Sequence, residues 1–495
     1  MYLNNKIVIG KNDDNEYGII LNKANRHGII TGASGSGKTV TVKVMAESFS
    51  DAGVPVFLAD VKGDLAGCAV SGMPNESLNQ RVEKLKIDNF EYKSFPVHFW
   101  DLYGKKGHPI RTKVETIGPE ILSIMLGLSE AQEGVLTIIF RIAKDENLEL
   151  CDLKDLKSLL QYASDNRKEY TTKYGTITPQ SIGVIQRSLL TLENQGVDNF
   201  FGEPSLSIHD FIAVNENGKG FINILDAVEL FKSPDLYASF LLWLLTELFN
   251  TLPEVGDLDK PKVVFFFDEA HLLFNDMPSY RLKQITQIVK LIRSKGIGLY
   301  FISQGPTDIP NDISSQLGNR VQHTLRAYTP AEQKVVGVAA DAFRTNPNFK
   351  TKDAILELGI GEALISCLNE NGEPEIVEKV MVLPPQSSMG TIDDMTRTNV
   401  INSSLLLGKY EQKIDKESAF EKVSKKNEEK ENMAAKAQAE IEEAKRKKEE
   451  ARLQREAERQ RNKDPMVKLG KKVTNKATDK LINKGLNSLF KNLFK

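Results

Sequence analysis

Two hydrophobic rhythms alternate along the chain. Short, nearly unbroken apolar runs bounded by Gly, Asp or Asn recur at Val54–Ala59, Gly220–Leu225, Val263–Phe267, Gly298–Ser303, Arg320–Leu325 and Glu362–Cys367. Runs of that length predict strands covered on both faces, the pattern of a largely parallel sheet. Between them, over Pro234–Phe249 and Tyr280–Lys295, apolar positions return every three or four residues, which predicts helices with one face on that sheet. Such alternation reads as a doubly wound α/β core. From about Val97 to Lys219 the helical rhythm takes over, with long amphipathic stretches at Ile117–Ala143 and Leu153–Ala163 and turn residues at Lys173–Pro179. We read this stretch as a mainly helical insertion dividing the core.

The core pattern closes near Pro384 and Pro385. Beyond about Asn399 the chain is dominated by Glu, Lys, Arg, Gln and Ala, and the apolar positions Met433, Ile441 and Leu453 are too sparse for a heptad seam. A single solvated helix is expected there, supported by pairs such as Glu443 with Lys447. At the end, Leu481, Ile482, Leu486, Leu489, Phe490, Leu493 and Phe494 recur at helical spacing among lysines. That segment suits an anionic membrane surface, the protein's own body or a protein partner. The expected organisation is therefore a core in two parts, 1–98 and 220–398, an insertion at 99–219, a charged helical tail at 399–465 and a basic amphipathic segment at 466–495.

Composition changes this picture little. With 495 residues, 40% of them hydrophobic, the chain can bury a sizeable core, and a net charge of −2 leaves any nucleic-acid surface to a local patch. Cys68, Cys151 and Cys367 form no CxxC pair, so free thiols in a reducing cytosol are expected. Met1–Lys11 has no long apolar stretch behind a basic start, and Phe240–Leu245 is too short to cross a bilayer. A cytoplasmic protein is expected.

The candidate chemistry begins at Gly32-Ala33-Ser34-Gly35-Ser36-Gly37-Lys38-Thr39, between the apolar pair Ile29 and Ile30 and a helix-like segment opening at Val40. Small residues let successive backbone N–H groups converge on the β- and γ-phosphates of a nucleotide, and Lys38 supplies a point charge. The Thr39 hydroxyl is placed to ligate Mg2+, and the helix offers its positive end to the same anion. ATP and Mg2+ are the expected ligands. The apolar run Val263–Phe267 then delivers Asp268 and Glu269. Asp268 can hold Mg2+ through water, and Glu269 can orient or deprotonate the water attacking the γ-phosphate, which a switch without hydrolysis would not need.

Other residues gather around this pair. His271 completes the letters Asp-Glu-Ala-His, yet Lys38 and Asp268 are too far apart in sequence for a DEAH-type RNA helicase, and no Ser-Ala-Thr motif follows. His271 is read as a helix residue near the site. Ser303-Gln304 follows a strand and can sense the γ-phosphate, or simply cap the strand end. Asp60-Val-Lys-Gly-Asp64 adds polar groups to the same edge, with Asp64 either a turn residue or a contributor to catalysis. Arg293, Arg320 and Arg326 flank the later strands, and one of them is expected to reach a neighbouring subunit's γ-phosphate in trans.

The strings Gly32 to Thr39, Asp60-Val-Lys-Gly-Asp-Leu-Ala-Gly67, Phe99-Trp-Asp-Leu-Tyr-Gly104, Phe201-Gly-Glu-Pro204, Phe267-Asp-Glu-Ala-His271 and Asn319-Arg-Val-Gln-His-Thr-Leu-Arg326 together resemble the YjgR-type branch of HerA-like ATPases, over about residues 5 to 400. The resemblance implies a RecA-like P-loop NTPase core of the HerA and FtsK group, whose better-studied members form hexameric rings and move double-stranded DNA through the centre. It also implies an ATP site of Lys38, Thr39, Asp268, Glu269 and Gln304, completed by a neighbour's arginine. HerA proper carries an N-terminal β-barrel, whereas about 30 residues precede the phosphate loop here, which puts the nuclease partnership and DNA processing in doubt. A second reading is an ATP-controlled assembly protein whose tail recruits a membrane or a protein partner.

Overall fold

Every side chain of Val263-Val-Phe-Phe-Phe267 is buried, as are those of Gly28-Ile-Ile-Thr31. Unbroken burial of this kind requires a sheet covered on both sides. The structure, a computed structural model, describes residues 1–461 apart from Asp14 and Asp276. Among the described residues thirteen strands form one sheet. In chain order they are β1 (Tyr2–Leu3), β2 (Lys6–Asn12), β3 (Asn15–Ile20), β4 (Gly28–Thr31), β5 (Val56–Asp60), β6 (Val97–Asp101), β7 (His108–Pro109), β8 (Ile222–Asp226), β9 (Val263–Phe267), β10 (Ile297–Ser303), β11 (Asn319–Gln322), β12 (Glu362–Ser366) and β13 (Glu378–Val382).

The spatial order is β1-β2-β13-β12-β11-β4-β10-β9-β5-β8-β6-β7, with β3 on β2. From β11 to β7 every neighbouring pair is parallel. The β1–β3, β12 and β13 group pairs antiparallel on one side of that block. In the parallel block all C-terminal strand ends share one edge, where ligands of open α/β sheets bind. The helix Lys38–Asp51 lies against the sheet with every residue from Thr41 to Ser50 buried. Its Met45 and Phe49 belong to the core that also holds Phe266, Tyr300 and Ile302.

Three expectations are corrected. Val97–Asp101 is a strand paired with β8, not the start of the insertion. Its aromatic residues, Phe99 and Trp100, are buried in the sheet, and the insertion begins after β7. The single long helix expected over Ile117–Ala143 is two, Val114–Met125 and Glu130–Asp145. Gly127 has φ +61°, and Ser129 opens the second helix in a reciprocal capping arrangement with Gln132. The core does not close at Pro384.

The segment after β13 crosses the helix Lys38–Asp51. There the buried Glu47 carboxylate accepts the N–H groups of Gln386 (2.8 Å) and Ser387 (3.0 Å). Lys43 of that helix donates to the carbonyls of Asp64 and Ser388. Farther on, Tyr410 is buried and hydrogen-bonded to Asp210, while Arg111 donates to the Tyr410 carbonyl. The compact unit thus runs from Met1 to Phe420, past the boundary expected at 399. The charged helix spans Ala419–Arg461, and Met433, Ile441 and Leu453 are exposed on it. The basic segment 466–495 lies outside the described residues. Among the described residues no helix is long and apolar enough to cross a membrane.

Candidate active site

The loop between β4 and the helix Lys38–Asp51 turns through three glycines with positive φ: Gly32 (+155°), Gly35 (+76°) and Gly37 (+109°). At Gly32 the choice is also steric, because a Cβ would lie 2.5 Å from the Cβ of His323. The helix starts directly at Lys38, so the N–H groups of its first turn have no helical acceptors and face the loop's hollow. Lys38 Nζ donates to the carbonyls of Gly32 (2.5 Å) and Ala33 (3.2 Å). A lysine held by two neutral carbonyls is poised to exchange them for an anion.

The sheet brings the acids to the same place. Phe301 of β10 pairs with Phe267, and Ser303 pairs with Thr31, so Asp268 and Glu269 emerge level with the start of the loop. Lys38, Thr39, Lys62, Asp64, Asp268 and Glu269 line one cavity of about 350 Å3. Burial pushes the Asp268 carboxyl up to about 6, and neighbouring Glu269 adds to the rise. Burial lowers the Lys38 ammonium, against the opposing pull of Glu269 and Asp268. The cavity thus concentrates charge that is incompletely compensated.

Its donor set fits a magnesium nucleotide. Thr39 and Asp268 present hard oxygens to the same space. Among the described residues the Asp268 carboxylate accepts one hydrogen bond, from the Glu269 N–H at 2.9 Å, which leaves lone pairs for a cation. Glu269 itself occupies the left-handed region (φ 48°, ψ 46°). Of the other non-glycine residues with positive φ all but Lys86 are Asn, Asp or His, types that tolerate this conformation. A glutamate there is strained, and such strain clusters at functional sites.

The comparisons agree with this geometry. A family model described as "Helicase HerA-like C-terminal" matches residues 5–495. The chain belongs to the HerA-like ATPases. The DNA double-strand break repair helicase HerA of Saccharolobus solfataricus is 23% identical over 368 residues, 72% of this chain and 64% of that protein. HerA of Sulfolobus acidocaldarius is 23% identical over 355 residues, 71% and 64% of the two chains. The match thus spans less than two thirds of either relative's length. Plasmid coupling protein TrwB, solved in complex with the non-hydrolysable GTP analogue GDPNP, superposes with a TM-score of 0.50 at 11% identity, covering 76% of this chain and 90% of that one. It shares the fold.

Not every expected residue of this HerA-like site converges. Gln304 follows β10 at the correct edge, with its side chain exposed, while neighbouring Ser303 is engaged by Asp308. Arg293 sits at the other end of β10, before Gly296, where its carbonyl accepts from Asn25 at 3.4 Å. Arg320 is occupied within its own chain, donating to the Ser314 carbonyl at 2.8 Å. A role in trans for Arg320 would require that hydrogen bond to be exchanged for a neighbour's phosphate. Arg326 is exposed in a second cleft, which shares Ser34 and Gly35 with the first.

Two site residues escaped the sequence reading. Lys62 lines the cavity facing Asp268. His323, buried beneath the loop, contacts the Glu362 carbonyl through Nδ1 (3.0 Å) and the Thr41 hydroxyl through Nε2 (2.9 Å). A carbonyl only accepts, so Nδ1 carries the proton and Nε2 accepts from Thr41. Burial lowers His323 to about 4, so it is neutral at pH 7 and pins the loop's helix to β11 and β12. The only sequence signal for His323 was its place in the string that follows a buried strand.

Proposed function

We propose that this HerA-like ATPase hydrolyses ATP with Mg2+ in the cytoplasm, as an oligomeric ring that moves along double-stranded DNA. The observation that carries the hydrolytic part is the placement of Glu269, strained and adjacent to Asp268, in the cavity that also holds Lys38 and Thr39. Loop N–H groups and Lys38 hold the β- and γ-phosphates, and their donors are aimed before the substrate arrives. Mg2+ held by Thr39 and Asp268 would neutralise phosphate oxygens. Glu269 orients a water and takes its proton as the oxygen bonds to the γ-phosphorus and the bond to ADP breaks.

The ring and the DNA rest on family likeness, since the named relatives are DNA repair helicases. Arg293 and Arg326 are both exposed, which suits a guanidinium supplied to a neighbour. Lys38→Ala is expected to abolish nucleotide binding, whereas Glu269→Gln should bind ATP and fail to turn it over. Full turnover by Glu269→Gln would remove the assigned base. For the polymer, ATPase activity should rise with duplex DNA and the rise should fade with salt. A flat response would favour the assembly-protein reading instead.

A further inference from the structure

The carboxylate assigned as the base has a neighbour that the hydrolytic scheme leaves unused. Glu269 Oε2 and His271 Nδ1 are 3.4 Å apart. Both atoms are shielded from solvent, and neither has a hydrogen-bond partner among the described residues. Two shielded polar atoms left unpaired side by side are costly unless they serve each other, because each forfeits its hydration. A closure of a few tenths of an ångström would bring them to ordinary N–H···O distance.

The backbone fixes this proximity. Glu269 adopts φ 48° and ψ 46° and is followed by a 3-10 segment, Ala270–Leu273. The Leu272 N–H donates to the Glu269 carbonyl at 3.0 Å. The His271 carbonyl accepts N–H groups from Phe274 and Asn275, each at 3.1 Å. On the other side, the Tyr237 hydroxyl donates to the Asp268 carbonyl at 2.8 Å. An extended residue 269 would carry the strand onward and separate the two side chains; the left-handed turn folds the imidazole back over the carboxylate.

We propose that His271 is the positioning residue of the base. Its Nδ1–H donates to Glu269 Oε2, holding the carboxylate so that Oε1 faces the cleft and the attacking water. The inference rests on Glu269 being the base. It gives the left-handed backbone a purpose and assigns a task to the last letter of the Asp-Glu-Ala-His string.

The test uses the full-length protein and compares steady-state ATPase with binding of a non-hydrolysable ATP analogue. His271→Ala should lower kcat roughly 10- to 100-fold, as expected for a reacting group misplaced by about an ångström, with KM and analogue affinity changed less than about twofold. His271→Asn places an amide N–H near the position of Nδ1 and should restore most of the rate. His271→Gln reaches the position of Nε2 instead and should not. In the Glu269→Gln background, His271→Ala should cause no further loss, since the two residues act as a unit.

A wild-type kcat in His271→Ala overturns the proposal, and so does a loss in which kcat, analogue affinity and Tm fall together and Asn gives no rescue. If Glu269→Gln alone retains turnover, the assignment of the base fails first. If Glu269→Gln is inactive while His271→Ala is normal, only the role of His271 fails.

Discussion

Asp60 ends β5 and Asp268 follows the neighbouring parallel strand β9 at the same edge of the sheet, and burial pushes both carboxyls up to about 6. Their surroundings nevertheless differ. Asp60 accepts N–H groups from Lys62 (3.4 Å), Gly63 (2.7 Å), Leu65 (3.1 Å) and Ala66 (3.1 Å), so both oxygens are committed to the turn. The Asp268 carboxylate accepts one N–H among the described residues, from Glu269. Equal displacement therefore accompanies two settings: the Asp60 carboxylate is committed to its own turn, and the Asp268 carboxylate keeps lone pairs open to a cation. A perturbed acid marks a candidate site, and the count of its committed lone pairs tells structure from chemistry.

The comparison can be broken most directly by exchanging each acid for its amide. Asp268→Asn should reduce Mg2+-dependent ATP turnover by about 100-fold or more with little change in Tm. Asp60→Asn puts an NH2 against N–H donors and should cost about 1–3 kcal/mol of stability, read by denaturant unfolding, while the folded fraction still turns over ATP. Equal effects on turnover would erase the distinction.

A pH titration sharpens the same contrast. With its pKa raised to about 6, Asp268 is an anion above that pH and takes up a proton below it. Affinity for Mg2+-nucleotide should therefore be full above about pH 6 and fall as pH drops through it, with a proton released on binding near that pH. Asp60→Asn should leave the profile in place, and calorimetry in buffers of different ionisation heat would detect the released proton.

The smallest expected effects concern the arginines. Arg320→Ala removes a donor from the Ser314 carbonyl and should lower stability by about 1 kcal/mol without altering the turnover of folded protein. Arg326→Ala should leave stability unchanged. If Arg326 completes a neighbour's site, it should lower turnover in the assembled protein while nucleotide binding persists. The reverse outcome, with Arg320→Ala slowing stable protein, would favour Arg320 as the arginine that serves a neighbour's site.

How much was legible in the sequence follows from what is local. The phosphate loop and the acids of β9 are contiguous strings whose function is encoded in spacing, and Val263–Phe267 forms a strand over the range expected. Where long-range pairing decides, the reading failed. Phe99 and Trp100 look like helical-region aromatics until β8 lies beside them, and the residues past 399 look solvated until Tyr410 docks against Asp210 and Arg111. His323 was invisible for a related reason. Its importance lies in bonds to Thr41 and Glu362, both distant along the chain.

Selection and stability pull in opposite directions at Glu269. Glycine would relax a backbone held at φ 48°, and by the usual cost of a non-glycine residue in that region the exchange would stabilise the fold by about 1 kcal/mol. If Glu269 is the base, mutational drift therefore has a route to a sturdier, inactive protein. A chain freed from turning over ATP would have every reason to take it. If Glu269 is the base, position 269 is the place where a laboratory search for thermostable variants should first be expected to sacrifice activity.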